Sequence, residues 1–207
     1  MKRLLVLLTL AVFLVAVDAS AQLAPTGKPT PGPKPRTTFS DNFNDGNLTG
    51  WVIDYGNWLV QDGMLVESPV DQSDYKLILV ENLNTASQTI EVMLNSSDTG
   101  GAVAFWRLDA RNQVEVWLTP YWNRLTITEA VDAQPLSFDW GGDWQRDTWY
   151  KLRIDANSAT GDVKVWVNNV YLFTYTVQSA RRSGMVGLHS GGFGSTWDDF
   201  SVQRLRK

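Results

Sequence analysis

From Thr38 onward, apolar residues recur at every second position in one run after another. In the run 89–94, Ile90, Val92 and Leu94 fall on one side, with Glu91 and Met93 on the other. In 113–118, Val114, Val116 and Leu118 oppose Gln113, Glu115 and Trp117. In 149–155, Tyr150, Leu152 and Ile154 oppose Trp149, Lys151, Arg153 and Asp155. In 163–167, Val163, Val165 and Val167 oppose Lys164 and Trp166. A period of two is that of a strand with one buried face. Strand-like runs are expected at 58–68, 76–83, 88–96, 101–109, 113–120, 124–131, 149–156 and 162–177. Asp62-Gly63, Gly100-Gly101, Gly161-Asp162 and Asn168-Asn169 punctuate them, and these residues tolerate the positive φ of hairpin turns. No stretch keeps a helical period over three turns. The pattern predicts an all-β chain built as a sandwich or barrel.

The same alternation assigns faces. The valine-rich side is expected to form the core between sheets, and the side mixing Trp with charge to face outward. The run AVAFWRL fits two registers. The reading adopted turns Ala104, Trp106 and Leu108 inward and puts Arg107 on the polar face.

The ends of this region carry a second pattern. The stretches FSDNFNDGNLTGW (39–51) and GMVGLHSGGFGSTWDDFSV (184–202) each set carboxylates beside aromatics, Asp41 and Asp45 in the first, Asp198 and Asp199 in the second. The pair resembles the opening and closing strands of the concanavalin A-like lectin/glucanase jelly roll, the laminin G-like group. The resemblance covers about residues 38–204. It implies two antiparallel sheets with the first and last strands side by side. Jelly rolls of this kind often hold one structural Ca²⁺ between those strands, and Asp41 and Asp199 match that placement. Hard carboxylate oxygens suit that ion.

Upstream, the chain divides in two. Lys2 and Arg3 precede a fourteen-residue apolar run, 4–17, broken only by Thr9, and Ala19-Ser20-Ala21 offers a small-x-small cleavage site. This predicts a signal peptide over 1–21, a mature start at Gln22 and a secreted protein; the competing reading is an uncleaved anchor. The apolar run is short for an integral membrane span. Residues 22–37 hold five of the eight prolines and read as an extended linker or a disordered tail. The domain is expected over 38–207. The chain has no cysteine, so the fold must stand without disulfides, and Cys-type metal sites are excluded.

Charge narrows the partners. The chain carries −4 overall, and −8 over 38–207 once Lys2, Arg3, Asp18, Lys28, Lys34 and Arg36 are set aside. An acidic domain without a basic run is a poor match for nucleic acid. Ten tryptophans stand out. Trp offers bulk for a core, or a flat plate for the apolar face of a sugar ring. The outward Trp117 and Trp166, with Arg107, Glu115 and Lys164 beside them, predict a glycan-binding face. Tyr121, Trp122, Trp140 and Trp144 are expected as a loop rim around it. Trp51 and Trp149 are assigned to packing.

Catalytic signals are sparse. The glucanases of this fold place their acids as Glu-x-Asp-x-x-Glu, a pattern this chain lacks. No two acidic residues in 38–207 lie two positions apart, so a carboxylate pair would have to come from different strands, such as Glu91 with Glu115. His189 is the only histidine and is expected to play a structural part at a strand end. The leading expectation is a monomeric, non-catalytic module that binds a polysaccharide or surface glycan. A glycoside hydrolase and an adhesion domain are the alternatives.

Overall fold

The computed structural model describes residues 36–67, 75–97, 99–192 and 194–206. The expected signal peptide, and the proline-rich segment as far as Pro35, lie outside the described residues. Fifteen strands and one 3₁₀ turn follow in order: β1 (Phe39–Asp41), β2 (Trp51–Tyr55), β3 (Trp58–Gln61), β4 (Met64–Glu67), β5 (Lys76–Val80), β6 (Gln88–Ser96), β7 (Gly101–Asp109), β8 (Asn112–Thr119), the turn Pro120–Trp122, β9 (Arg124–Val131), β10 (Gln134–Gly141), β11 (Trp149–Ala156), β12 (Asp162–Val167), β13 (Val170–Thr176), β14 (Met185–Ser190) and β15 (Ser195–Arg204). Among the described residues no helix is long and apolar enough to cross a membrane.

The strands form two antiparallel sheets. The first runs β13-β12-β11-β6-β15-β4-β3, with β1 also paired to β15. The second runs β10-β9-β8-β7-β14-β5-β2. This is the jelly roll the sequence resembles, and its first and last strands lie side by side, Phe39 opposite Val202 and Asp41 opposite Phe200.

The alternation maps onto burial. Ile90, Val92, Leu94, Leu152, Ile154, Val163 and Val165 of the first sheet meet Ile78, Val103, Val116, Leu118, Ile127 and Leu188 of the second in one continuous core. Burial of this apolar surface drives the two sheets together. Near the β1–β15 pair, Trp51 is buried against Phe39, Phe43 and Phe200, with ring centroids 5.0–5.8 Å away. That is the packing role expected for it.

β7 departs from the expected register. Ala104 does not face inward; it lies outside with Leu77 and Leu79. Leu108 is 45% exposed. Phe105 and Trp106, consecutive residues, both enter the core. A β-bulge is the cause: pairing with β8 slips between Phe105 and Asp109, and Trp106 adopts φ +47°. The bulge shifts the alternation by one residue, so Arg107 still reaches the outer face. β10 was expected as loop but pairs with β9 along its whole length, placing Trp140 opposite Leu125.

Candidate functional site

Five neighbouring strands of the second sheet converge their outward side chains. β8 supplies Gln113, Glu115 and Trp117; β7 supplies Arg107; β14 supplies His189. Tyr75 stands just before β5, and Asp54 lies on the edge strand β2. His189 shares the outer face with Met185 and Gly187, while Val186 and Leu188 point to the core, so alternation alone directs its ring outward.

A carboxylate holds the imidazole. His189 Nδ1 lies 2.7 Å from Glu115 Oε1, and the Trp117 indole N–H donates to Glu115 Oε2 at 3.1 Å. An ionised carboxylate only accepts, so Nδ1 carries the proton and Nε2 presents a lone pair in the neutral ring. Nε2 is buried and has no hydrogen-bond partner among the described residues. The rings of Tyr75 and Trp117 stand edge-on to the imidazole, 4.2 and 4.5 Å between centroids. His189 is 4% exposed.

Beside this pair lies a guanidinium. Arg107 Nη2 donates to Asp54 Oδ2 at 2.9 Å and Nη1 donates to Gln113, while its Nε is buried without a partner among the described residues. Burial lifts the Tyr75 hydroxyl above the ordinary tyrosine range. Arg107 opposes that shift, and the charges of Glu115 and Asp54 add to it.

On the other side of Trp117 the face opens into a groove of about 380 Å³, lined by Trp117, Trp122, Arg124, Thr126, Ser137 and Asp139 among others. The Arg124 guanidinium lies 4.9 Å over the Trp122 ring and donates to Asp139 at 3.1 Å. The Thr126 hydroxyl donates to the same carboxylate at 2.6 Å. Flat aromatics beside polar forks and hydroxyls form a surface suited to a polyhydroxylated ring.

The residues expected from sequence divide over this geometry. Arg107, Glu115 and Trp117 meet on the second sheet, with Trp122 at the groove and Tyr121 next to it, both about half exposed (52% and 51%). Trp166 and Lys164 sit on β12 of the first sheet, so Trp117 and Trp166 make no shared platform. Trp166 instead pairs across strands with Arg153, 4.9 Å over its ring, and with Tyr171. Glu91 lies on β6 of the first sheet, bonded to Lys151, so it is no partner for Glu115. Trp140 stacks on Phe173 at 5.6 Å, and Trp144 packs edge-on against Tyr150 at 5.5 Å.

The acids at the strand ends also have occupations. Asp41 Oδ1 accepts the Phe43 N–H at 2.7 Å and Oδ2 accepts the Trp51 indole N–H at 2.8 Å. Asp199 sits in a bulge of β15 with φ +47°. Calcium takes six to eight oxygens. Among the described residues, no group of three or more His, Cys, Asp or Glu side chains is placed to hold a metal ion. Asp41, Asn42, Asp45 and Asp199 line a common pocket beside the β1–β15 pair.

His189, Tyr75, Asp54 and Gln113 were not foreseen as site residues. The signal for His189 was present: it alternates out of phase with Val186 and Leu188, as Trp117 does with Val116 and Leu118.

Known structures share the architecture. A carbohydrate-binding module from Bacillus subtilis superposes with a TM-score of 0.61 at 18% identity, over 76% of this chain and 94% of that one. The Bacillus licheniformis β-glucanase gives 0.63 at 11%, over 83% and 99%. Lectin II from Ulex europaeus gives 0.62 at 11%, over 83% and 100%. At these identities the likeness is one of fold, the concanavalin A-like jelly roll. No curated protein matches the chain. Residues 38–203 match the 3-keto-alpha-glucoside-1,2-lyase-like domain over most of the chain's length, and the chain belongs to that family.

Proposed function

We propose that this domain binds a 3-keto-glycoside on the outer face of its second sheet and eliminates its aglycone, with His189 as the base. The observation that carries the reading is the His189–Glu115 pair, which leaves a lone pair on Nε2 beside Trp117. The family's name describes a lyase acting between C1 and C2 of a 3-keto-α-glucoside. In such a sugar the C2 hydrogen is acidic because it lies next to the C3 ketone. His189 Nε2 takes that proton, and the electrons pass into the C2–C3 enolate. The C1–O bond then breaks as C1=C2 forms and the C3 carbonyl returns. The aglycone oxygen leaves with a proton that the imidazolium can return. Glu115 keeps the imidazole in the productive tautomer and balances its charge once protonated. Arg107, on the neighbouring strand β7, carries the positive charge that suits the enolate oxygen. Trp117 supplies the stacking plate.

One observation favours a second reading. Tyr75 and Trp117 flank the imidazole and its Nε2 is buried, whereas the groove beside Trp117 is open. A module that only binds sugars through Trp117, Trp122 and Arg124 needs no access to His189, and the carbohydrate-binding module and lectin among the fold relatives keep that reading in view. Turnover of a methyl 3-keto-α-glucoside, followed by enone absorbance, separates the two. Glu115→Gln and His189→Ala are expected to lower the rate by about 10²–10⁴. Binding without enone formation by the parent protein establishes the module instead.

A further inference from the structure

His189 is followed directly by Ser190 and the bend at Gly191 and Gly192, and this turn is held by a buried ion pair that the proposed chemistry does not use. Lys76, the first residue of β5, and Glu67, the last of β4, are both buried, with Nζ 3.0 Å from Oε2. Lys76 Nζ also donates to the Gly192 carbonyl at 2.7 Å. Glu67 accepts the Ser190 hydroxyl at 2.9 Å and the Ser195 N–H at 3.0 Å. The Thr99 hydroxyl donates to the Gly191 carbonyl at 2.6 Å. The three residues after His189 are thus each fixed by a hydrogen bond.

The turn in turn seats the site. Gly191 lies against the Trp117 indole, so closely that a Cβ there would stand 2.9 Å from Trp117 Cζ3. Lys76 also follows Tyr75, whose ring forms the other wall of His189. The ion pair therefore stands one residue from Tyr75 and holds Ser190 and Gly192, the residues on either side of the Gly191 that meets Trp117. Burying two charges is costly, and apolar replacements of the same size often serve stability as well or better.

We infer that Lys76 and Glu67 are positioning residues for the sugar site. They hold the segment that directly follows His189 and on which Trp117 rests. This rests on the reading that Trp117 and His189 form that site.

The test uses the full chain with Lys76→Met combined with Glu67→Gln, which removes the charges and keeps an acceptor for the Ser195 N–H. The readouts are the melting temperature, the ¹H–¹⁵N resonance of the Trp117 indole, assigned with Trp117→Phe, and the affinity for methyl 3-keto-α-glucoside. The double variant is expected to fold. Its Trp117 resonance should leave the position set by Glu115, and binding should weaken about tenfold or more, while the Trp51 indole bonded to Asp41 stays in place. A folded variant with an unmoved Trp117 resonance overturns the inference. If the double variant does not fold, Ser190→Ala, which removes one contact to Glu67, is expected to move the same resonance, and an unmoved signal there overturns it equally. The resonance is read without sugar. A parent protein that binds no keto-glycoside would thus overturn the sugar reading, while the positioning of Trp117 by the ion pair stands or falls on the resonance alone.

Discussion

Trp117 and Trp166 look alike in sequence, each an outward Trp with a charged residue two positions before it. They differ in what their surroundings can do. Trp117 touches His189 and borders the groove, whereas Trp166 is closed between Arg153 and Tyr171 on the other sheet. Stacking on an aromatic is worth roughly 1–3 kcal/mol per ring, by analogy with base stacking. Trp117→Ala is therefore expected to weaken binding of a keto-glycoside about ten- to a hundredfold in a titration, and Trp166→Ala to leave it unchanged. A loss with Trp166→Ala would place the ligand on the first sheet. Asp198 makes a prediction of its own. Burial raises its pKa, and the charges of Asp199 and Asp41 add to the rise, while the Asp199 N–H opposes it. A carboxyl raised in the fold favours folding when protonated. That contribution is fully present below the ordinary aspartate value of about 3.9 and is lost as pH rises through the folded value. Asp198→Asn should thus melt higher than the parent at neutral pH, with the difference vanishing in acid. A higher melting point that persists at pH 2–3 would contradict this account.

Among elements, alternation was enough to find most strands and to orient β6, β8, β11 and β12, because each buries one face without interruption. It failed where the chain leaves the pleat. The bulge at Trp106 places two successive aromatics in the core, and a strict period of two has no way to express that. β10 escaped notice because each of its residues is exposed, so the core imposes no pattern on it. Sheet membership also lies beyond periodicity: Glu91 and Glu115, or Trp117 and Trp166, present the same signal whichever sheet holds them. The pairing of β1 with β15 was legible through family resemblance, and the role of its acids was not. Asp41 ties β1 to the start of β2 by taking the Phe43 amide and the Trp51 indole. Leaving such donors unsatisfied costs about 1–3 kcal/mol. Asp41→Ala is therefore expected to lower stability by about that amount, equally in chelator and in millimolar calcium. A parent protein whose melting temperature rises with calcium, with the rise lost in Asp41→Ala, would place a metal there.

Across the whole molecule, two sheets share one core and divide the outer labour. The first sheet's exterior is occupied by ion pairs, Lys151–Glu91 across strands and Arg153–Asp155 along β11. The second sheet's exterior gathers a histidine, two carboxylates, an arginine and the open groove. The acidic domain surface suits an uncharged sugar better than a polyanion. The central claim is that His189 Nε2 takes the C2 proton of a bound 3-keto-glycoside. The most direct measurement is ¹H NMR of a methyl 3-keto-α-glucoside in D₂O with the parent protein and with Glu115→Gln and His189→Ala. The account predicts that the parent removes the C2–H signal and releases methanol with an enone, and that both variants leave the C2–H signal near its uncatalysed decay. A parent protein that leaves the C2–H signal intact while the sugar is demonstrably bound, or a His189→Ala variant that removes it at the parent's rate, would contradict the account.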